Sequence, residues 1–247
     1  MSKKVLIAGY PKSGNTWLGY MLAYLLGAPY VDLHQPREKT TKIKSVLDLI
    51  SGNLPHSSDY DLVAKTHSLP RGVRDLENYD KVICIIRDPR DVTVSYFFFR
   101  YHLLPVELEK PFFLPFSQWP PVRFLLWKHM VFKLGREWPF HTLTWKALDP
   151  CWVRYEDLLG NPEGEVRRVL QFLGVQAAPE ILAAALRSFS FEEMSGGRKK
   201  GQEDTTHFYR KGIIGDYKNH FSRFDLALMN RLAGPEMRRL GYGPAGP

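Results

Sequence analysis

Short apolar runs alternate with longer stretches of helical spacing along this chain. Four runs read as strands, residues 5–8, 61–66, 81–86 and 151–154, the third a continuous apolar run suited to the middle of a parallel sheet. Between and after them, apolar residues recur at helical intervals. A helix is expected over residues 15–26, with Gly27 as its stop and Trp17, Met21, Tyr24 and Leu25 toward the core. Asp88 followed by Pro89 marks the start of another, as an N-cap and a first-turn proline. Further helices are expected over residues 124–138, 162–173 (Val166, Val169, Leu170 and Leu173 inward, Gly174 ending it), 179–187 and 225–240. Residues 30–58 are mixed, with a short helix expected at 44–50; residues 193–208 read as a mobile loop and 241–247 as a frayed tail.

Strands alternating with helices predict an α/β fold of three layers, α/β/α, around a central parallel sheet of the P-loop nucleotide-binding type. With neither a repeat nor a linker in evidence, residues 1–247 are expected to form one domain. Ligands of such sheets sit at the carboxyl ends of the strands. Three candidate features fall there without appeal to any relative: the loop from Gly9 to Gly14, His67 and Arg87.

That loop carries the strongest chemical signal. Residues 4–17, KVLIAGYPKSGNTW, read as strand, glycine-bounded loop and helix start, which is how a chain builds an anion cradle from converging N–H groups and a helix N-terminus. Gly9 and Gly14 have the spacing of the nucleotide P-loop, yet Asn15 stands where its lysine belongs. The cation has moved inside the loop, to Lys12, while Thr16 keeps the hydroxyl. An ordinary ATPase is not expected.

Net charge is +8, which fits a nucleic-acid ligand, an anionic small ligand or a basic solvated surface, and charge alone does not choose. No stretch of eighteen apolar residues occurs, so no stable membrane insertion is expected. Cys84 and Cys151 lie in apolar runs and read as reduced buried thiols, hence a cytoplasmic protein. Residues 101–150 are crowded with Phe, Trp and Pro, in part core and in part the wall of an acceptor pocket, the early portion a proline-kinked flap.

PKSGNTW resembles the 5′-phosphosulfate loop, typically PKSGTTW, of the PAPS-dependent sulfotransferases, PAPS being 3′-phosphoadenosine 5′-phosphosulfate. Further stretches match the family in order: KTH at 65–67, IIRDPRDVTVSYFFF at 85–99, RYEDL at 154–158, SFEEM at 190–194 and RKGIIGDYKNHF at 210–221, the last similar to RKGxxGDWKNxF. Trp127, His129 and Trp138 echo its aromatic acceptor-side helix.

The resemblance implies a PAPS donor, adenosine 3′,5′-bisphosphate (PAP) as product, and no metal. It implies that Lys12, Ser13, Gly14, Asn15 and Thr16 hold the phosphosulfate end. Arg87, Ser95, Arg210, Lys211 and Gly212 would hold the 3′-phosphate, where the guanidinium fork suits phosphate oxygens. Tyr155 would meet the nucleotide and Phe191 would pack on adenine opposite Trp17. For catalysis it implies His67 as general base, Lys12 as neutraliser of the departing oxygen, Ser95 as its restraint and Lys65 as electrostatic help.

The match departs from the family in the GDWKN stretch and just after it, and the loops around residues 30–58 and 101–121 lack a clear counterpart. Tyr217 replaces a tryptophan, and the dimer segment that follows the GDWKN stretch looks shortened or absent, which leaves the oligomeric state open. The expected partner is a fairly apolar small-molecule acceptor bearing a hydroxyl or amine, not a nucleic acid. A P-loop kinase is the alternative enzyme, with Asp88 as the one candidate for a metal-binding carboxylate. A nucleic-acid- or nucleotide-binding module without turnover is the alternative outside enzymes.

Overall fold

The computed structural model describes residues 3–34, 58–103 and 113–243. The helix expected at 44–50, part of the expected flap and the end of the tail lie outside them. The α/β class with a central parallel sheet is what the chain adopts. Five strands, β1 (Lys3–Ala8), β2 (Tyr30–Asp32), β3 (Tyr60–Thr66), β4 (Lys81–Ile86) and β5 (Cys151–Arg154), pair in the order β2-β3-β1-β4-β5, all parallel. The three-residue edge strand β2 was not foreseen: it is too short to show a period of its own.

The chain divides into two compact units, residues 1–86 with 142–190 and residues 87–141 with 191–247.

The first unit holds the whole sheet, α1 (Asn15–Leu26) and the end of a long helix described below. After β5 come α5 (Tyr155–Gly160), α6 (Pro162–Leu173) and α7 (Pro179–Ser188). The central strands are apolar because both faces are covered: Leu6, Ala8, Ala64, Val73, Cys84 and Trp145 form a buried cluster. Helix α1 ends on Gly27 in the left-handed conformation, as its position requires. Its buried face is Leu18, Met21, Leu22 and Leu25; Trp17 and Tyr24 are only half-buried. Register positions the chemistry. Ala8 pairs with Thr66 and Asp32 with Lys65, so Gly9, His67 and the end of β2 emerge side by side.

The second unit is helical: α2 (Pro89–Phe98) running into a π turn (Phe99–Leu103), α3 (Phe113–Gln118), most of α4 (Pro120–Lys146), α8 (Phe191–Met194) and α9 (Arg223–Arg239). Asp88 caps α2 by accepting from the Arg90 N–H, and Pro89 occupies the first turn, as the sequence implied. Helix α4 runs eight residues beyond the expected end at Trp138, through Pro139. Proline removes one ladder bond, but Trp138 before it and His141, Thr142 and Trp145 after it are all buried, and that burial carries the helix on. Helix α9 starts at Arg223 on a capping box, Ser222 with Asp225. Asp225 also accepts from Lys128 at 2.6 Å and Trp127 at 3.2 Å, which fastens α4 to α9. Both cysteines are buried free thiols. Among the described residues no helix is long and apolar enough to cross a membrane.

Candidate functional site

In the first unit, the loop after β1 folds under tight steric constraint. A Cβ on Gly9 would lie 2.5 Å from the Ile85 carbonyl oxygen. Lys12 at the loop's apex has φ 69°, a left-handed conformation rare for a lysine, and Gly14 follows at φ 101°. A Cβ on Gly14 would stand 2.8 Å from the Tyr155 ring, so glycine there lets the ring approach the main chain. Ser13 is fully buried, and its hydroxyl has no hydrogen-bond partner among the described residues.

Asn15, in the P-loop lysine position, is buried and works as a staple. Its Nδ2 donates to the Gly9 carbonyl at 2.9 Å and the Tyr10 carbonyl at 3.3 Å. The His67 Nδ1 lies 2.8 Å from the same Gly9 oxygen and 2.8 Å from the Asn15 Nδ2. The Gly9 carbonyl can only accept, so its 2.8 Å contact with the ring is a hydrogen bond only where the imidazole donates. His67 Nδ1 therefore carries its own proton, and Nε2 presents a lone pair. Burial, then the positive charge of Lys65, push the imidazole pKa down to about 3, against the opposing pull of the Gly9 bond and Asp32. The ring is neutral at neutral pH, the form a general base needs.

Around it, the Lys65 ammonium pairs with Asp32 at 2.7 Å and donates to the Thr16 hydroxyl at 3.2 Å. The Trp17 indole N–H donates to the Phe189 carbonyl at 2.6 Å, and its ring meets Tyr155 edge-on, centroids 5.9 Å apart. The motifs at 9–17, 65–67 and 155 thus converge within one unit. Asp32 and His34 belong to this cluster and were missed, because their segment has no recognisable pattern; the three-residue β2 delivers them.

In the second unit, Arg87 is buried and donates to the Ile213 carbonyl at 3.2 Å. Asp91 of α2 accepts from the Gly215 and Tyr217 N–H groups at 2.6 and 2.9 Å. That carboxylate, which sequence reasoning gave no part in the site, locks the 85–99 stretch to the 210–221 stretch. Arg210 and Lys211 both pair with the buried Asp216, and Arg210 also pairs with Glu203. Burial resists ionisation of Asp216, but His220, Lys211, Arg210 and Asn219 together hold its carboxyl far below the usual range. The Arg210 guanidinium lies over the Phe98 ring at 4.7 Å.

Gly212 has φ 64°, and a Cβ there would come within 2.4 Å of the Phe191 ring. Arg198 donates to the carbonyls of Tyr209 (2.6 Å), Arg210 (2.9 Å) and Gln202 (3.2 Å) and so organises this loop. Ser95 is half-buried on α2. Of the aromatic residues expected toward an acceptor, Trp138 is core, packed on Tyr242, and His129 is exposed. Trp127 lines a cavity of about 330 Å³ with Phe97, Phe98 and Arg123.

Comparison with known proteins places the chain in a family. The family model described as the sulfotransferase domain matches residues 2–241. Sulfotransferase 1E1 of Cavia porcellus is 27% identical over 249 residues, covering 88% of this chain and 77% of that protein. The 3-alpha-hydroxysteroid sulfotransferase of Cavia porcellus is 27% identical, covering 91% and 82%. Among solved structures, mouse sulfotransferase SULT7A1 complexed with PAP superposes with a TM-score of 0.68 at 21% identity, covering 96% of this chain and 84% of that one. Retinol dehydratase in complex with retinol and PAP gives 0.65 at 20%, covering 95% and 81%.

Proposed function

The chain belongs to the sulfotransferase domain family, and from that premise we propose that it transfers the sulfuryl group of PAPS to a hydroxyl or amine of a fairly apolar small molecule. One observation carries the reading. At the end of β1 a glycine-bounded anion loop shares its Gly9 carbonyl with His67, leaving Nε2 of a neutral imidazole as a lone-pair acceptor.

The residues suit the donor's two anionic ends. The loop N–H groups, the start of α1, Lys12 and the buried Ser13 hydroxyl take the phosphosulfate. Arg87, Ser95, Arg210, Lys211 and the Gly212 main chain take the 3′-phosphate, with Trp17, Tyr155 and Phe191 on the nucleoside. In the reaction, His67 Nε2 removes the acceptor's proton as the new oxygen–sulfur (or nitrogen–sulfur) bond forms. Lys12 neutralises the charge that builds on the oxygen leaving with PAP. Lys65 acts at one remove, since its charge is compensated by Asp32.

A kinase reading is weakened by Asp88. The carboxylate that would hold a metal instead caps α2 and pairs with Arg90 at 2.6 Å. Ser222 caps α9 directly after the GDYKNHF stretch, which supports a chain that does not dimerise through the segment usual in the family. The reading includes a cytoplasmic location, supported by the two buried thiols.

The test is sulfation of a panel of phenols, steroids, alcohols and amines from labelled PAPS by wild type and by His67→Ala. The variant should lose about 10²–10⁴-fold in turnover while still binding PAP. Unchanged turnover per bound complex, or no transfer to any acceptor, refutes the reading.

A further inference from the structure

We propose that His34 is a positioning residue that fixes the imidazole of His67, an inference that rests on the sulfotransferase reading above. Alternate residues of β3 turn their main-chain groups toward β2. The Val63 N–H donates to the Pro29 carbonyl at 2.9 Å, and the Lys65 carbonyl accepts from the Leu33 N–H at 3.0 Å. His67 is the next residue in that series, but β2 has ended at Asp32. The side chain of His34 supplies the acceptor: Nε2 accepts the His67 main-chain N–H at 2.8 Å.

Because a main-chain N–H can only donate, the His34 Nε2 must be unprotonated. The same nitrogen lies 3.3 Å from the Thr66 hydroxyl and 3.4 Å from the Ser68 hydroxyl. The two imidazoles also stack, centroids 5.4 Å apart and planes 29° from parallel. His34 is anchored in turn, its N–H donating to the Asp32 carboxylate at 3.0 Å. His67 is thus held at three points. Its main chain and one ring face are held by His34, and its Nδ1 by the Gly9 carbonyl. The Nε2 lone pair is the part of the ring these three anchors leave open.

A general base loses efficiency steeply when displaced, about 10²-fold per 1 Å of misplacement. His34→Phe keeps a stacking ring and removes the acceptor; His34→Gln restores an acceptor oxygen at similar reach. The prediction is that His34→Phe lowers kcat about 10- to 100-fold with the KM for PAPS within about twofold, and that His34→Gln recovers most of kcat.

A second readout needs no turnover. Nitrogen-15 NMR of the wild-type imidazoles should show His67 as the Nδ1–H tautomer, and His34→Phe should mix the tautomers. Wild-type kcat in His34→Phe, or a His34→Gln as impaired as His34→Phe, overturns the proposal while a strongly impaired His67→Ala leaves the sulfotransferase reading standing. Should His34→Phe fail to fold, His34→Gln and the wild-type tautomer decide: a wild-type His67 protonated on Nε2 also overturns it. If His67→Ala turns over normally, the base reading fails and takes this proposal with it.

Discussion

The Lys65 ammonium lies 2.7 Å from the Asp32 carboxylate, with both side chains almost wholly removed from solvent. Strand register makes the pair, since Asp32 is the β2 partner of Lys65. The pair holds the Thr16 hydroxyl and sets the field at His67, which Lys65 depresses and Asp32 partly restores.

Breaking it from one side leaves a buried charge uncompensated. Asp32→Asn should cost about 3–5 kcal/mol of stability, and adding Lys65→Met to that variant should return part of the loss. Urea unfolding of the two single variants and the double checks this. Strict additivity would show that the two charges do not depend on each other.

Much of this was legible in sequence because it rests on local rules. The bounds of β4, β5 and α6 follow from continuous apolar runs, an inward-facing stripe and Gly174. The loop at 9–14 shows itself by glycine spacing, and His67 and Arg87 by their place at strand ends. What stayed hidden depends on pairing across distance. Asp32 and His34 gain meaning from the register of β2 on β3, and Asp91 from main-chain N–H groups more than 120 residues away. Asn15 looked like a lost lysine; only the fold shows it bonded to the carbonyls of Gly9 and Tyr10. Trp127 and Trp138 stand on one helix with similar chemistry, and burial alone separates core from cavity wall.

The depressed pKa of His67 sets a direction for stability against pH. Its folded value, about 3, lies below the ordinary 6.5, so between those two values the unfolded chain binds more protons. The neutral ring's contribution is complete above about pH 6.5 and declines as pH falls toward 3. His67→Gln should flatten that decline, read as unfolding midpoints of both proteins from pH 4 to 8. Parallel curves would mean that the imidazole titrates freely. Over the same range His67 itself should impose no acid limb on turnover.

Asp216 gathers Arg210, Lys211 and His220 on one buried carboxylate. Asp216→Asn keeps the shape and removes the charge, so the cations lose both their anchor and their orientation. We expect about 3 kcal/mol of destabilisation and at least about tenfold weaker PAP binding by titration calorimetry, one tenfold step being about 1.4 kcal/mol. Unchanged affinity would show that Asp216 does not set the geometry of the cations proposed to hold the 3′-phosphate.

Gly212 and Gly215 provide a matched pair for the contact with Phe191. Both have left-handed φ, 64° and 79°, so alanine at either site meets backbone strain of about 1–2 kcal/mol. They differ in what a Cβ would touch: nothing within 4 Å at Gly215, the Phe191 ring at 2.4 Å at Gly212. Gly215→Ala should therefore lose stability alone. Gly212→Ala should lose stability and also displace the ring proposed to pack on adenine, weakening PAP binding beyond its control. Calorimetric titration of both variants with PAP separates strain from displacement. Equal affinities would show that Gly212 is required for its main-chain conformation and that the Phe191 ring contributes nothing to nucleotide binding.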